Sequence, residues 1–128
     1  MELMLKLSRE REVLRVVDDE FVTPTPTAQI AQQIVALSRS KHYGLYHGTA
    51  EGSCSWYEFA REIFHATGAA ICLERASPGE FPAKVPRPKY SVLENRALKN
   101  LTLNVFSDWR SGLEDYLNSR SQSAVAAR

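Results

Sequence analysis

Ser55-Trp56-Tyr57-Glu58-Phe59-Ala60-Arg61-Glu62-Ile63-Phe64-His65-Ala66-Thr67-Gly68 is the stretch from which the fold can be read outward. Its Ser-x-x-Glu head is a capping box, in which the serine hydroxyl and the glutamate carboxylate each take up an orphan N–H of the first turn. Trp56, Phe59, Ala60, Ile63 and Phe64 recur at helical spacing and form a core face, and Gly68 supplies the stop. Upstream, Tyr43 to His47 reads as a strand, followed by a loop from Gly48 to Cys54. Downstream, Ala70 to Arg75 reads as another.

Further upstream, the β-branched run Val13 to Val17 predicts a strand. A helix follows with Ile30, Ala31, Ile34 and Leu37 at helical spacing. It opens at Pro26, where the missing N–H costs nothing, with Thr25 as its cap, and runs to about Arg39. Residues 1–11 read as a helix with Leu3, Met4 and Leu7 on one face and Lys6, Arg9 and Arg11 where the dipole favours cations. A helix that starts at the first residue without a cap reads as a piece cut from a longer chain. Beyond the third strand, residues 77–88 hold four of the six prolines and predict a stiff, irregular loop. Ser91 to Glu94 is a second capping box that predicts a short helix. A last helix opens near Ser107 with Trp109, Leu113, Tyr116 and Leu117 on one face. The expectation is therefore an α/β chain with a small mixed sheet and several helices over residues 1–118, and a flexible tail over 119–128.

Composition excludes several classes. With 16 Lys+Arg against 15 Asp+Glu the net charge is +1, which supplies no field for nucleic acid or an anionic membrane. No apolar run approaches the roughly 20 residues that span a bilayer. Met1-Glu2-Leu3-Met4-Leu5-Lys6 carries acid where a secretion signal needs base, so the expected compartment is the cytoplasm. Cys54 and Cys72 lie far apart with no ligand spacing, and read as thiols rather than a disulfide framework.

The chemistry-bearing patterns are few. No Gly-rich phosphate turn follows any strand, so no dinucleotide site is expected within this chain. No Tyr-x-x-x-Lys occurs; Tyr57…Arg61 and Tyr116…Arg120 are amphipathic-helix residues. Glu62-x-x-His65 is a single copy of a pattern that binds di-iron only when duplicated. His42 and His47 lack further convergent ligands, so no metal site is expected. Two segments remain. Pro82-Ala83-Lys84-Val85-Pro86-Arg87-Pro88-Lys89-Tyr90-Ser91 interleaves three cations with three prolines. An arginine on so stiff a loop can fork onto phosphate oxygens with little entropy left to lose. Asp18-Asp19-Glu20-Phe21-Val22-Thr23-Pro24-Thr25 is a proline-pinned turn between strand and helix, where α/β proteins place ligand contacts.

Taken in order, these segments resemble the dTDP-4-dehydrorhamnose reductases. Leu14 to Thr25 is similar to their V-x-D-Q-x-G-x-P-T motif. Gly44-Leu45-Tyr46-His47 with Gly52 to Ala60 is similar to G-x-Y-H…G-x-x-S-W-Y-E-F-A. Pro82 to Ser91 with Leu93-Glu94-Asn95 is similar to P-T-P-A-x-R-P-x-x-S-x-L-D-N. The resemblance implies the C-terminal, substrate-holding part of an extended short-chain dehydrogenase. The parent would use NADPH to reduce dTDP-4-dehydro-L-rhamnose to dTDP-L-rhamnose, with cofactor and catalytic tyrosine held by a preceding Rossmann domain. None of the catalytic residues would then fall in this chain. Arg87 would meet the diphosphate, Lys84 and Lys89 would add charge, and Glu20, Thr23 and Thr25 would line the dTDP-sugar pocket. Apolar surface of residues 1–17 and 43–49 would face the Rossmann domain, and the chain by itself would form a homo-oligomer through it. The same fold also serves as a non-catalytic, partner-binding module in the β subunit of methionine adenosyltransferase. Two positions depart from the motif: Glu20 replaces glutamine, adding charge near an anionic ligand, and Val22 replaces a glycine. Pro86 also stands where the motif places a second arginine.

Overall fold

A computed structural model describes residues 1–77, 79–81, 85 and 87–126, the side chains of 123–126 excepted. The chain divides into two compact units, residues 1–22 with 54–91 and residues 23–53 with 92–128.

In the first unit, helix α1 (Glu2–Glu10) leads into strand β1 (Val13–Val16). β1 buries Leu14 and Val16 and turns Val13 and Arg15 outward, the alternation expected of a strand with one covered face. It pairs in parallel with β4 (Cys72–Arg75), Val13 opposite Cys72 and Val16 opposite Arg75. A parallel pair needs a crossover. The chain between them includes α3 (Trp56–Thr67), which packs on β1, β4 and α1. Its start is as the sequence predicts. The Ser55 hydroxyl accepts from Glu58 N–H, the Glu58 carboxylate accepts from Ser55 N–H, and Gly68 closes the helix at φ 64°. Ala60, Ile63 and Phe64 are buried with Leu5, Leu14, Val16 and Cys54. Trp56 and Phe59 are half-buried on the rim. On α1 the buried residue is Leu5, whereas Leu3, grouped with Met4 and Leu7 on one face, is 64% exposed.

Two strands of two residues each were not legible in the sequence. β2 (Phe21–Val22) pairs antiparallel with β3 (Cys54–Ser55). Such short strands have no periodicity to read. The mixed α/β class holds, but the strand pairs form two small sheets, one parallel and one antiparallel.

In the second unit, α2 (Thr27–Ser38), α4 (Arg96–Asn100) and α5 (Trp109–Ala126) surround Ala50, Leu98, Phe106, Trp109 and Leu113. Gly112 lets α5 approach the start of α2: a Cβ there would lie 2.5 Å from Pro26 Cγ. Four sequence expectations are corrected. The helix α2 buries Gln29 and Gln33, while Ile34 is 60% exposed and Ile30 and Val35 are also exposed. Thr25 does not cap it, because its hydroxyl donates to Thr23 O and accepts from Ala50 N–H; Pro26 occupies the cap position. Tyr43 to His47 is not a strand. Among the described residues it pairs with no neighbour, and Tyr43 and Leu45 are 92% and 89% exposed. A strand without a partner leaves its backbone groups to water. The second capping box is unused, since the N–H and hydroxyl of Ser91 are both drawn to Phe21 O, and the helix starts only after Asn95. At the other end α5 continues past Ser119 to Ala126.

Candidate functional site

The two segments selected from the sequence meet in the first unit at Phe21. Its N–H donates to Lys89 O at 2.8 Å and its carbonyl accepts from Ser91 N–H at 3.0 Å. The Ser91 hydroxyl adds a third bond between the segments, donating to Phe21 O at 3.2 Å. Phe21 thus forms a parallel bridge with Tyr90 while pairing with Ser55 through β2 and β3. The end of the proline-rich loop is thereby sewn to the end of the Asp18–Val22 turn, a juxtaposition of residues about seventy apart.

Arg87 sits two residues before Lys89, ahead of Pro88, which holds it extended. It is exposed, and among the described residues no carboxylate pairs with it. Other arginines of the unit differ: Arg15 meets Glu80 at 2.9 Å and Arg75 meets Asp18 at 2.6 Å. Lys89 Nζ stands 3.9 Å from an Asp19 carboxylate oxygen, at the limit of an ion pair. Glu20 is half-buried and makes no ion pair among the described residues. Lys84 lies outside the described residues. Thr23 and Thr25 belong to the second unit, where both hydroxyls are engaged: Thr23 donates to Gly52 O at 2.9 Å, and Thr25 bonds Thr23 O and Ala50 N–H. Val22 is extended strand backbone; among the described residues Thr102 is the non-glycine residue with positive φ. The replacement of glycine there carries no backbone strain.

A further side-chain cluster adjoins this site through Ser55, the strand partner of Phe21. Asp18, at the end of β1, accepts from the Ser55 hydroxyl and from Arg75 Nε. The Arg75 guanidinium lies 4.3 Å over the Tyr57 ring, a cation–π contact. Burial pushes the Asp18 carboxyl up, but the hydrogen bonds from Ser55 and Arg75 and the nearby positive charge outweigh it, so its pKa lies below the usual value. The capping box could have revealed Ser55; nothing local could have revealed Arg75, which is 57 residues from Asp18.

In the second unit the tail of the proline-loop motif is structural. Asn95 is 1% exposed and brackets Thr49, its Oδ1 accepting from Thr49 N–H and its Nδ2 donating to Thr49 O and to Glu51. Glu51 also accepts from Lys99 and Asn104. Burial pushes the Glu51 carboxyl up, and these donors, Lys99 first, bring it below the usual value. No group of three His, Cys, Asp or Glu side chains converges as for a metal among the described residues.

The mixed α/β architecture has counterparts among known proteins. The chain belongs to the RmlD substrate binding domain family, whose model matches residues 1–122. It is 38% identical over 123 residues to the spore coat polysaccharide biosynthesis protein SpsK of Bacillus subtilis, covering 96% of this chain and 43% of that one. The structure of a dTDP-4-dehydrorhamnose reductase from Clostridium acetobutylicum superposes with a TM-score of 0.90 at 37% identity, over 94% of this chain and 43% of that one. The dTDP-4-dehydrorhamnose reductase of Bacillus anthracis, solved in complex with NADP, gives 0.87 at 35% identity, over 92% and 42%. The chain therefore spans about two fifths of the length of these relatives.

Proposed function

We propose that this chain holds the dTDP-sugar of an NADPH-dependent dTDP-4-dehydrorhamnose reductase working in the cytoplasm. The observation that carries the reading is the exposed guanidinium of Arg87, unpaired among the described residues, on a loop anchored through Phe21. A guanidinium held extended before a proline meets a diphosphate with two parallel bonds, and its loop has little left to order on binding. Lys89, weakly engaged with Asp19, adds charge, and Lys84 belongs to the same stretch. Glu20, beside Phe21, faces the sugar in this reading. For Thr23 and Thr25 the assignment is carried by the family motif, since both hydroxyls serve their own turn.

Hydride transfer in a short-chain dehydrogenase uses a dinucleotide site and a tyrosine–lysine pair, and neither pattern occurs in residues 1–128. In this reading a preceding Rossmann domain supplies both, together with NADPH. The outward apolar face of α2 and the exposed Tyr43 and Leu45 support such a partner, because large apolar side chains so exposed favour burial against another surface. Without that domain the same surfaces drive self-association.

The test is calorimetric titration with dTDP and, in the reductase that contains this domain, steady-state kinetics. Arg87→Lys keeps the charge but loses the fork, so binding should weaken by about 1–3 kcal/mol, the range for a charge-assisted bond. The loss should appear in KM with kcat retained, because the diphosphate is held alike in ground and transition states. Unchanged binding in Arg87→Lys would move the diphosphate contact to another residue.

A further inference from the structure

Beside the cations, the anchored loop end presents an aromatic pair that the diphosphate reading leaves unused. Tyr90 is 66% exposed and Phe21 37% exposed, and their rings lie 6.3 Å apart, tilted by 41°. Exposure alone does not single them out, for Phe81 and Val85 in the same unit are 58% and 71% exposed. What distinguishes Tyr90 is that its backbone is fixed. It sits between Lys89, whose carbonyl accepts from Phe21, and Ser91, whose N–H donates back to Phe21. The bridge that results carries the Phe21 ring against its flank. A ring of two torsions on a clamped backbone offers a large flat surface at small entropic cost.

Its place along the chain matters equally. Tyr90 is three residues from Arg87 with a bend at Lys89 between them, and since even extended backbone advances only about 3.3 Å per residue, the two stand at most about 10 Å apart along the loop. A nucleoside diphosphate spans a comparable distance between its phosphates and its base. A base has a π face whatever its identity, and stacking on an aromatic side chain removes apolar surface of both from water.

We infer that Tyr90, buttressed by Phe21, is the stacking surface for the nucleobase of the ligand whose diphosphate meets Arg87. The inference rests on the diphosphate reading above and adds to it a residue that sets affinity for the nucleoside half. It also makes recognition of the base by this loop tolerant of base identity, since stacking reads no hydrogen-bonding edge.

The experiment titrates the full chain with dTDP and, separately, with inorganic pyrophosphate, in wild type, Tyr90→Leu, Tyr90→Phe and Arg87→Lys. Circular dichroism confirms that each variant is folded. The expected result is that Tyr90→Leu weakens dTDP about tenfold, within the range for one stacked base, and leaves pyrophosphate unchanged. Tyr90→Phe, which keeps the ring, should stay within about twofold of wild type. Arg87→Lys should weaken both ligands. Equal dTDP affinity in wild type and Tyr90→Leu overturns the stacking role while the Arg87 assignment stands. So does an equal loss of dTDP and pyrophosphate in Tyr90→Leu, which would make the residue a support of the loop. If wild type binds neither ligand, the diphosphate reading fails and the stacking role falls with it.

Discussion

Helices α2 and α3 are each twelve residues long and are built in opposite ways. The α3 helix is capped at both ends by its own sequence and turns Ala60, Ile63 and Phe64 inward. In α2 no side chain caps the start, Gln29 and Gln33 face inward, and Ile30 and Ile34 face out. Gln33 is held by donating to Leu103 O at 2.9 Å and accepting from Val105 N–H at 3.0 Å, while Gln29 donates to Ser107 at 2.7 Å. A buried amide that satisfies two backbone groups of an irregular segment replaces the strand neighbour that segment lacks. The contrast separates a helix that stabilises its own unit through apolar burial from one that serves its unit through polar bonds and leaves its apolar face exposed.

The sharpest way to break this contrast is a matched pair of truncations. Ile63→Ala removes a fully buried side chain of α3 and should cost about 2–5 kcal/mol in urea unfolding. Ile34→Ala on α2 should change stability by less than about 0.5 kcal/mol, and should reduce self-association of the chain in sedimentation. A large loss of stability from Ile34→Ala in a monomeric sample would show that α2 packs like α3 after all.

A second pair compares how the two helices use polar side chains. Gln33→Leu strands Leu103 O and Val105 N–H, and should cost about 2 kcal/mol, the scale for leaving buried polar groups unmet. Ser55→Ala removes one cap bond and the partner of Asp18, and should cost about 1 kcal/mol. Chemical denaturation of both variants checks the order. If Ser55→Ala were the worse of the two, the capping box would matter more than the amide bridge.

The smallest effect is in pH. Asp18 has a native pKa below its unfolded value, so its contribution is fully present above the ordinary carboxylate pKa, about 4. It is lost as the pH falls through the lowered native value. Stability of wild type should therefore decline on acidification more steeply than that of Asp18→Asn, measured by denaturation midpoints across that range. Parallel pH profiles would mean that Arg75 and Ser55 gain nothing from the charge.

The sequence by itself determined the elements whose signals are local. A capping box, a helical run of apolar residues and a glycine stop define α3 within fourteen consecutive residues. The β-branched run Val13 to Val17 announces β1, and three motifs in order announce the family that the fold then bears out. Prolines flanking Arg87 likewise mark the cationic loop without any partner in view. Tertiary structure alone decided the rest. The strands β2 and β3 exist because Phe21 and Ser55 meet, and two residues cannot carry a period of two. The helix α2 shows the same limit from the other side: its periodicity is real, but periodicity gives a face and not the direction in which that face points. Which side is inward was settled by Leu103, Val105 and Ser107, whose unmet backbone and hydroxyl groups lie some seventy residues away and needed amides rather than isoleucines.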